Sequence, residues 1–459
     1  LYGSTRRLNL PRQLNGPHDP ALFHIRGLHH TLHIHRQHVA MWFAGQADDP
    51  GAWLMGRLGY DRTMRVAYEH ICLHGGDAAG PDGMTFEDLA TDDMAWQLCR
   101  GLARDVRDGH YQPGPTRKVI ISKGPGRGER TLCIPNLRDR IVGRALVEIL
   151  QPMYEPTFQP FSFGWRPGLG RLDALATALA YAQRTGNWCW VIDDVKDAFE
   201  SIPRSRLLAA CRRLLSDDMV GFVELLSAAG RLGGRGIAQG GPASPLLSNI
   251  HFDAHLDAAW YRRFPGVPLL RTADDLLVCA ASDAEARERH DALAHIAKST
   301  SGTPLKSGDQ AGVRDLDAGD TADWLGFRIR RTRGCVIVGI GPRAWWNLQE
   351  NLLLCHDTPD ENTRKADTIS GWIDQAGPAY SPDTLTGFCM RLRLVAGRAG
   401  VDVPYSDEEI RTRLSAAHAR YSRLRARIER QLDHQLWKVE DWSGRQTFPP
   451  HVRGHALTR

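Results

Sequence analysis

The sequence predicts an α+β fold, and three observations predict it. Apolar residues 269–270 and 276–279 flank two adjacent carboxylates, Asp274 and Asp275, as expected of two buried strands meeting at a tight polar turn. A third apolar run, Trp190-Val191-Ile192, enters a second acidic cluster at Asp193, Asp194 and Asp197. Helical periodicity lies on both sides of these strands and fills residues 341–459.

Composition sets the frame. The chain has 459 residues, 42% hydrophobic and 24% charged, enough for two to four domains with a sizeable core. A net charge of +5 is compatible with nucleic acid without demanding it. Nine cysteines without a C-x-x-C pair point to neither a zinc ribbon nor a disulfide framework, and reduced cytosolic thiols fit best. No run approaches the length of a membrane span and no secretory leader is read, so a cytoplasmic location without membrane contact is expected.

In chain order, residues 1–50 are irregular and rich in His. His29 and His33 share a helix face, and a polar helix is preferred over a metal site because no carboxylate or Cys joins them. Residues 51–74 read as a helix stopped by Gly75-Gly76. Gly80-Pro81-Asp82-Gly83 is a turn. Residues 86–108 read as a helix with acids early and Arg late. Lys118–Lys123 and Arg130–Pro135 are short strands joined by a basic, Gly-rich loop, a hairpin whose charge suits a triphosphate. A helix then runs to about Leu150. Phe161, Phe163, Trp165 and Arg166 suit either stacking on nucleic acid or packing beneath the fingers. An Ala-rich helix covers 172–183. Pro203 opens a helix whose stripe of Leu207, Leu208, Cys211, Leu214 and Leu215 is core, and a second helix spans 217–229. Dense Gly and Pro over 235–249 make a rigid loop. After the acidic hairpin comes a helix over 283–299. Ser406 with Glu409 fits a capping box. Ile410, Leu414, Ala417, Tyr421, Leu424, Ile428 and Leu432 form a buried stripe beside seven Arg, which favour phosphate contact.

Two strands that carry carboxylates to one point can hold two metal ions about 3.5–4 Å apart. Such a pair activates a hydroxyl nucleophile and neutralises the leaving oxygen in phosphoryl transfer. Asp193 and Asp197 are expected to matter less than Asp194.

These motifs resemble, in order, those of bacterial reverse transcriptases of the group II intron lineage. Arg271-Thr272-Ala273-Asp274-Asp275 resembles the Arg-Tyr-Ala-Asp-Asp box, with Thr272 replacing Tyr. The stretch from Asp194 to Ile202 is similar to the first catalytic strand, where an aromatic, here Phe199, stands five residues after the metal-binding Asp. Gly80–Gly83, the basic hairpin and its continuation through Val142, and Ser162–Gly168 resemble finger motifs. Ala238–Pro245 resembles the Pro-Gln-Gly-x-Pro-x-Ser-Pro box, with Ala238 for Pro. Gly302–Ser307 resembles the Leu-x-x-x-Lys-Thr region loosely. Trp324-Leu325-Gly326-Phe327 is close to the Phe-Leu-Gly-Phe primer grip.

The resemblance implies a right-hand polymerase: an N-terminal helical extension (1–75), fingers (76–185), palm (186–340) and a helical thumb or C-terminal domain (341–459). It implies RNA-directed DNA synthesis with Mg²⁺, or Mn²⁺ in its place. Asp194, Asp274 and Asp275 would be catalytic, and these with Val195 would hold metal. Lys123, Arg130 and Lys306 would meet the triphosphate. Gln239 would lie near the incoming base and sugar, and Phe199 would exclude a 2′-hydroxyl. The implied partners are an RNA template, a DNA or RNA primer and deoxynucleoside triphosphates, with a dedicated structured non-coding RNA as a further candidate. No Cys-paired or His-Asn-His endonuclease motif is read near the C-terminus. Thr272 and Ala238 favour a domesticated or antiphage defence setting; an intron maturase or splicing cofactor and a CRISPR-associated reverse transcriptase are the alternatives.

Overall fold

The computed structural model describes residues 20–122, 128–229, 233–307, 312–356 and 360–435. Lys123 lies outside them, as does most of the loop that follows it. No described helix is long and apolar enough to cross a membrane.

The first part of the chain is helical: α1 (Pro20–Phe43), α2 (Leu54–Leu58), α3 (Asp61–His74) and α4 (Asp92–Arg107). The helix expected over 51–74 is broken at Gly59-Tyr60. Gly59 packs against Arg107 so closely that an added Cβ would lie 3.0 Å from the Arg107 side chain. The helix expected from residue 86 begins only at Asp92, because Thr91 caps it through the Met94 amide. His35 is buried and bonds the Ile149 carbonyl at 2.9 Å, so it is a core histidine. Among the described residues no group of three or more His, Cys, Asp or Glu is arranged to hold a metal ion.

Strands β1 (Arg117–Ser122) and β2 (Glu129–Ile134) form the basic hairpin. Helices α5 (Leu137–Tyr154) and α6 (Arg171–Thr185) lead to β3 (Cys189–Asp194). Next come the short α7 (Ala198–Ser201), α8 (Arg204–Cys211), α9 (Asp217–Ala228), α10 (Ser244–Phe252) and α11 (Ala258–Arg263). The acidic hairpin is β4 (Leu270–Thr272) and β5 (Asp275–Ala280). Helix α12 (Asp283–His295) gives way to a wider π-helical turn over Ile296–Ser301, where a single α-helix was expected. Strand β6 (Val313–Asp315) completes an antiparallel sheet of order β4-β5-β3-β6. Its two central strands, β5 and β3, are the apolar runs that end in carboxylates.

A second sheet, β7 (Thr321–Trp324), β8 (Phe327–Thr332) and β9 (Cys335–Ile340), follows. Leu325 and Gly326 turn its first hairpin with φ of +50° and +85°, the signs of a type I′ turn. Helices α13 (Pro342–Leu353), α14 (Glu361–Gln375), α15 (Leu385–Arg398) and α16 (Asp407–Gln435) end the described chain. The Ser406–Glu409 capping box forms as expected.

Three cores result. One joins α1–α5 with α8–α10, one lies around the β4-β5-β3-β6 sheet, and one sits among α13–α16. Helix α16 spans two of them. Ile410 and Leu414 enter the third core, whereas Tyr421, Ile428 and Leu432 enter the second, against α6. This single stripe ties the terminal bundle to the sheet. The Arg face of α16 also makes ion pairs within the protein. Arg411, Arg413, Arg420, Arg425 and Arg427 face Glu408, Asp374, Asp374, Glu429 and Asp173, so much of the charge is already answered within the protein.

Candidate active site

The site is built on the end of β3 and the β4–β5 turn. Pairing places Asp194 opposite Asp275, and Asp274 occupies the turn itself. Ala273, the first central residue of this two-residue turn, has φ +61°, the sign required there by a type II′ turn. The Val195 amide donates to the Asp274 carbonyl at 3.0 Å, and Val195 is buried. All three carboxylates therefore lie at one sheet end. The Asp194 and Asp275 side chains leave paired positions at this end, so two carboxylates crowd one another. Burial, then the neighbouring Asp194 and the charge of Asp274, push the Asp275 carboxyl well above its usual range. Asp274 is also raised, by burial first and then by Asp194.

The turn is gripped from below. Arg271 is wholly buried and holds Asp257 through three contacts of 2.7–3.0 Å. Its Nη1 donates to Asn249 Oδ1 at 2.9 Å and to the Ala273 carbonyl at 3.2 Å. Asn249 Nδ2 in turn donates to the Gly164 carbonyl at 2.7 Å. Gly164 lies so close to the turn that an added Cβ would sit 2.2 Å from the Ala273 amide nitrogen. Gly164→Ala should therefore push the turn outward and cost about 1–3 kcal/mol. Urea unfolding checks this, and an unchanged midpoint would show that the contact relaxes freely.

Of the residues expected to meet a nucleotide, Phe199, Gln239 and Arg130 form one wall linked through main-chain contacts, Lys306 lies apart from it, and Lys123 is outside the described residues. Phe199 begins the wall: half-buried, its ring is 5.5 Å from Trp165 and its carbonyl accepts from the Ile237 amide at 2.9 Å. Ile237 leads to Gln239, whose carbonyl accepts from the Cys133 amide on β2 at 2.7 Å. Gly240 permits this approach, since a Cβ there would lie 2.4 Å from the Cys133 carbonyl oxygen. Arg130 stands on the same β2 strand. Its Nε is shielded from solvent and has no hydrogen-bond partner among the described residues. Across the site, Lys306 Nζ lies 3.5 Å from Asp194 Oδ2 and is largely exposed.

A family model described as "Reverse transcriptase (RNA-dependent DNA polymerase)" matches residues 121–307, the stretch that holds β2, β3, the acidic hairpin and Lys306. The chain carries a reverse transcriptase domain. Protein YkfC of Escherichia coli is 38% identical over 171 residues, covering 34% of this chain and 44% of that protein. Group II intron-encoded protein LtrA of Lactococcus lactis is 29% identical over 195 residues, covering 40% of this chain and 31% of LtrA. The domain is thus group II intron-like, and the chain spans less than half the length of either relative. Among solved structures, telomerase from Candida albicans with a fragment of telomeric RNA overlaps 75% of this chain and 66% of that one, at 11% identity and TM-score 0.38. A partial Cas6-RT-Cas1–Cas2 complex overlaps 55% and 43%, at 21% identity and TM-score 0.34.

Several site features of the reverse transcriptase domain escaped sequence reasoning. Asp193 is no bystander: it is buried and bonded to His290 and Ser307. Arg343, in the first turn of α13, lies close enough to Asp274 and Asp275 to favour their ionised forms. Its only sequence signal is a basic residue two positions after Gly341, which gives no hint of distance. The aromatic segment divides its roles. Phe161 and Phe163 are buried in the core around the β4-β5-β3-β6 sheet, and Arg166 braces Glu155, Gln159 and Ser162. Trp165 alone is 45% exposed, with φ +56°.

The carboxylate oxygens at this sheet end are the hard donors that a divalent cation takes, although they are not arranged as a closed set of three ligands. Mg²⁺ keeps several waters and is held by one or two carboxylates together with substrate phosphates, so a closed protein cage is not required. The crowding of Asp194, Asp274 and Asp275 at one sheet end marks where positive charge is needed.

Proposed function

We propose that this protein is an RNA-directed DNA polymerase that extends a DNA or RNA primer on an RNA template with deoxynucleoside triphosphates. The observation that carries this reading is the meeting of Asp194, Asp274 and Asp275 at one sheet end. Asp194, Asp274 and Asp275, with the Val195 carbonyl, would hold Mg²⁺ or Mn²⁺, which supplies charge neutralisation to the reacting phosphoryl group. Arg130 and Lys306, with Lys123 in the sequence between β1 and β2, would bind and orient the triphosphate. Gln239 would border the base and sugar. The division into N-terminal extension, fingers, palm and thumb at residues 75, 185 and 340 belongs to this reading. So do a bacterial cytoplasmic location and a domesticated or antiphage defence setting, the latter supported by Thr272 and Ala238.

Primer extension on a defined RNA template tests the reading. DNA product should appear with Mg²⁺, vanish with EDTA and return when Mg²⁺ is restored. Absence of any DNA product under these conditions, with RNA still bound, would favour the splicing-cofactor reading that the intron-encoded relatives suggest.

Sugar choice gives a sharper test. Phe199 sits at the start of the wall, where a flat ring offers a 2′-hydroxyl neither room nor a hydrogen bond, a loss of about 1–3 kcal/mol. Phe199→Ala should lower the preference for deoxynucleotides over ribonucleotides by about 10- to 100-fold. The ratio of kcat/KM values for the two nucleotides reads this directly. An unchanged ratio would leave Phe199 as a packing residue for Trp165.

A further inference from the structure

The segment carrying Lys306 is pinned at both ends by buried histidines. At its start, His251 Nε2 lies 3.1 Å from Ser301 Oγ, which bonds Thr303 Oγ1 at 2.6 Å. At its end, His290 on α12 is fully buried, and its Nε2 lies 3.1 Å from both Asp193 Oδ2 and Ser307 Oγ. The Ser307 hydroxyl and amide both donate to Asp193. Between the pins, the Lys196 amide donates to the Pro304 carbonyl and the Lys306 amide to the Asp194 carbonyl, each at 2.8 Å. The Lys306 ammonium is thereby held beside the Asp194 carboxylate.

Adjacent residues of a strand point to opposite faces. Strand β3 therefore sends Asp194 into the site and Asp193 into this network behind it. A buried carboxylate is costly unless it is paired and hydrogen-bonded. Hydrogen bonds from His290, Ser307 and two backbone amides hold the Asp193 carboxyl below its usual range, although burial is the largest opposing influence. The bond to Asp193 favours the protonated form of His290. A polar contact at this depth is a weak source of net stability, because desolvation offsets its attraction. Its geometric consequence is definite: it fixes one end of the segment relative to the strand that bears Asp194.

We propose that Asp193, His290 and Ser307 are positioning residues that hold Lys306 over Asp194 and thereby set the affinity of the site for the triphosphate of the incoming nucleotide. The proposal rests on the polymerase reading and adds three residues to it. Lys306 itself would touch the substrate; the network would act only through it. Removing the network should therefore lower nucleotide affinity more than turnover, and should do nothing further once Lys306 is gone.

The test compares wild type, His290→Phe, His290→Gln, Lys306→Ala and the His290→Phe/Lys306→Ala double variant. KM and kcat for dTTP are measured on a poly(rA) template with an oligo(dT) primer. The Kd of Mg²⁺–dTTP is measured by calorimetry, and Tm is measured for each protein. His290→Phe should raise KM and Kd about 10-fold, with a smaller fall in kcat. His290→Gln, which can still donate to Asp193, should recover most of the affinity. The double variant should bind no more weakly than Lys306→Ala alone. Should His290→Phe fail to fold, Ser307→Ala must weaken binding in the same way. Additive losses in the double variant, or unchanged KM and Kd in folded His290→Phe, would overturn the proposal. A wild type that binds Mg²⁺–dTTP but makes no DNA would instead overturn the polymerase reading, and the Kd values would still decide the positioning role. A wild type that does not bind Mg²⁺–dTTP would overturn both.

Discussion

Asp275→Asn should give a protein that incorporates no nucleotide and yet, without metal, unfolds at a higher temperature than the wild type. Both effects come from the same carboxyl group. Asp275 is half-buried beside Asp194 and Asp274, and desolvation with their charges holds its carboxyl well above its usual range. The folded state therefore binds a proton that the unfolded chain releases near pH 3.9, the ordinary value for about any free Asp. A raised carboxyl stabilises relatively at low pH, and that advantage is lost as pH climbs from the ordinary value through the raised one. An amide of the same shape carries no charge to desolvate. The gap in Tm between variant and wild type should be small near pH 4 and widest near pH 8 in EDTA. Excess Mg²⁺ should reverse the order, since an ion that binds only the folded wild type stabilises it by mass action. For activity, losing one oxygen ligand of the charge-neutralising site is expected to cost on the order of 4 kcal/mol, about 10³-fold in rate. The Asp274→Asn/Asp275→Asn protein should be silent as well while still binding RNA. Melting curves across pH with primer extension check both halves. Robust synthesis by the double variant would remove these residues from catalysis. A variant less stable than the wild type at pH 8 in EDTA would show that the raised-carboxyl account of Asp275 is wrong.

The strands that carry these residues were legible because their signal is local. The apolar stretches at 190–192 and 276–279 can only be buried, and a polar pair between 270 and 276 leaves room for only a short turn. The register then aligns Asp194 with Asp275. The Ser406 cap was equally plain, since its partner stands three residues away. What the sequence hid depends on distant partners. Asp193 looked like a spare acid because His290 and Ser307 lie far along the chain. The Arg residues of α16 looked free because Asp173 and Asp374 come from other elements. Helix starts were misjudged by several residues at α4, where charge pattern suggested Phe86 and the Thr91 side chain set the start. The two roles of the 161–166 segment could not be separated beforehand. An aromatic facing a core and one facing solvent read alike until the β4 strand, bonded through Phe161 and Phe163 to Arg271, shows which side is inside.

Arg271→Ala should be the most destabilising single change near the site, at about 3–5 kcal/mol. Truncation leaves Asp257 buried without its cation, and removing one partner of a buried pair costs far more than the pair contributes. It also empties the space over the Phe252 ring, where the guanidinium lies 5.4 Å from the centroid. Lys would not substitute well. It is a point charge that cannot hold Asp257 by a planar fork and also reach Asn249 and the Ala273 carbonyl. The functional consequence follows from the turn. Ala273 adopts a left-handed conformation that costs a non-glycine residue about 1–2 kcal/mol, and Arg271 is one of the groups that hold its carbonyl in place. A paired apolar replacement, Arg271→Met with Asp257→Leu, separates the two roles. It removes both charges together, so it should recover much of the lost stability. It supplies no donor to Asn249 or to the turn, so Asp274 and Asp275 should remain poorly placed and synthesis should stay low. Urea unfolding and primer extension on the three proteins distinguish these cases. Wild-type stability in Arg271→Ala would contradict the burial of the pair, and full activity in the paired variant would show that Arg271 serves stability alone.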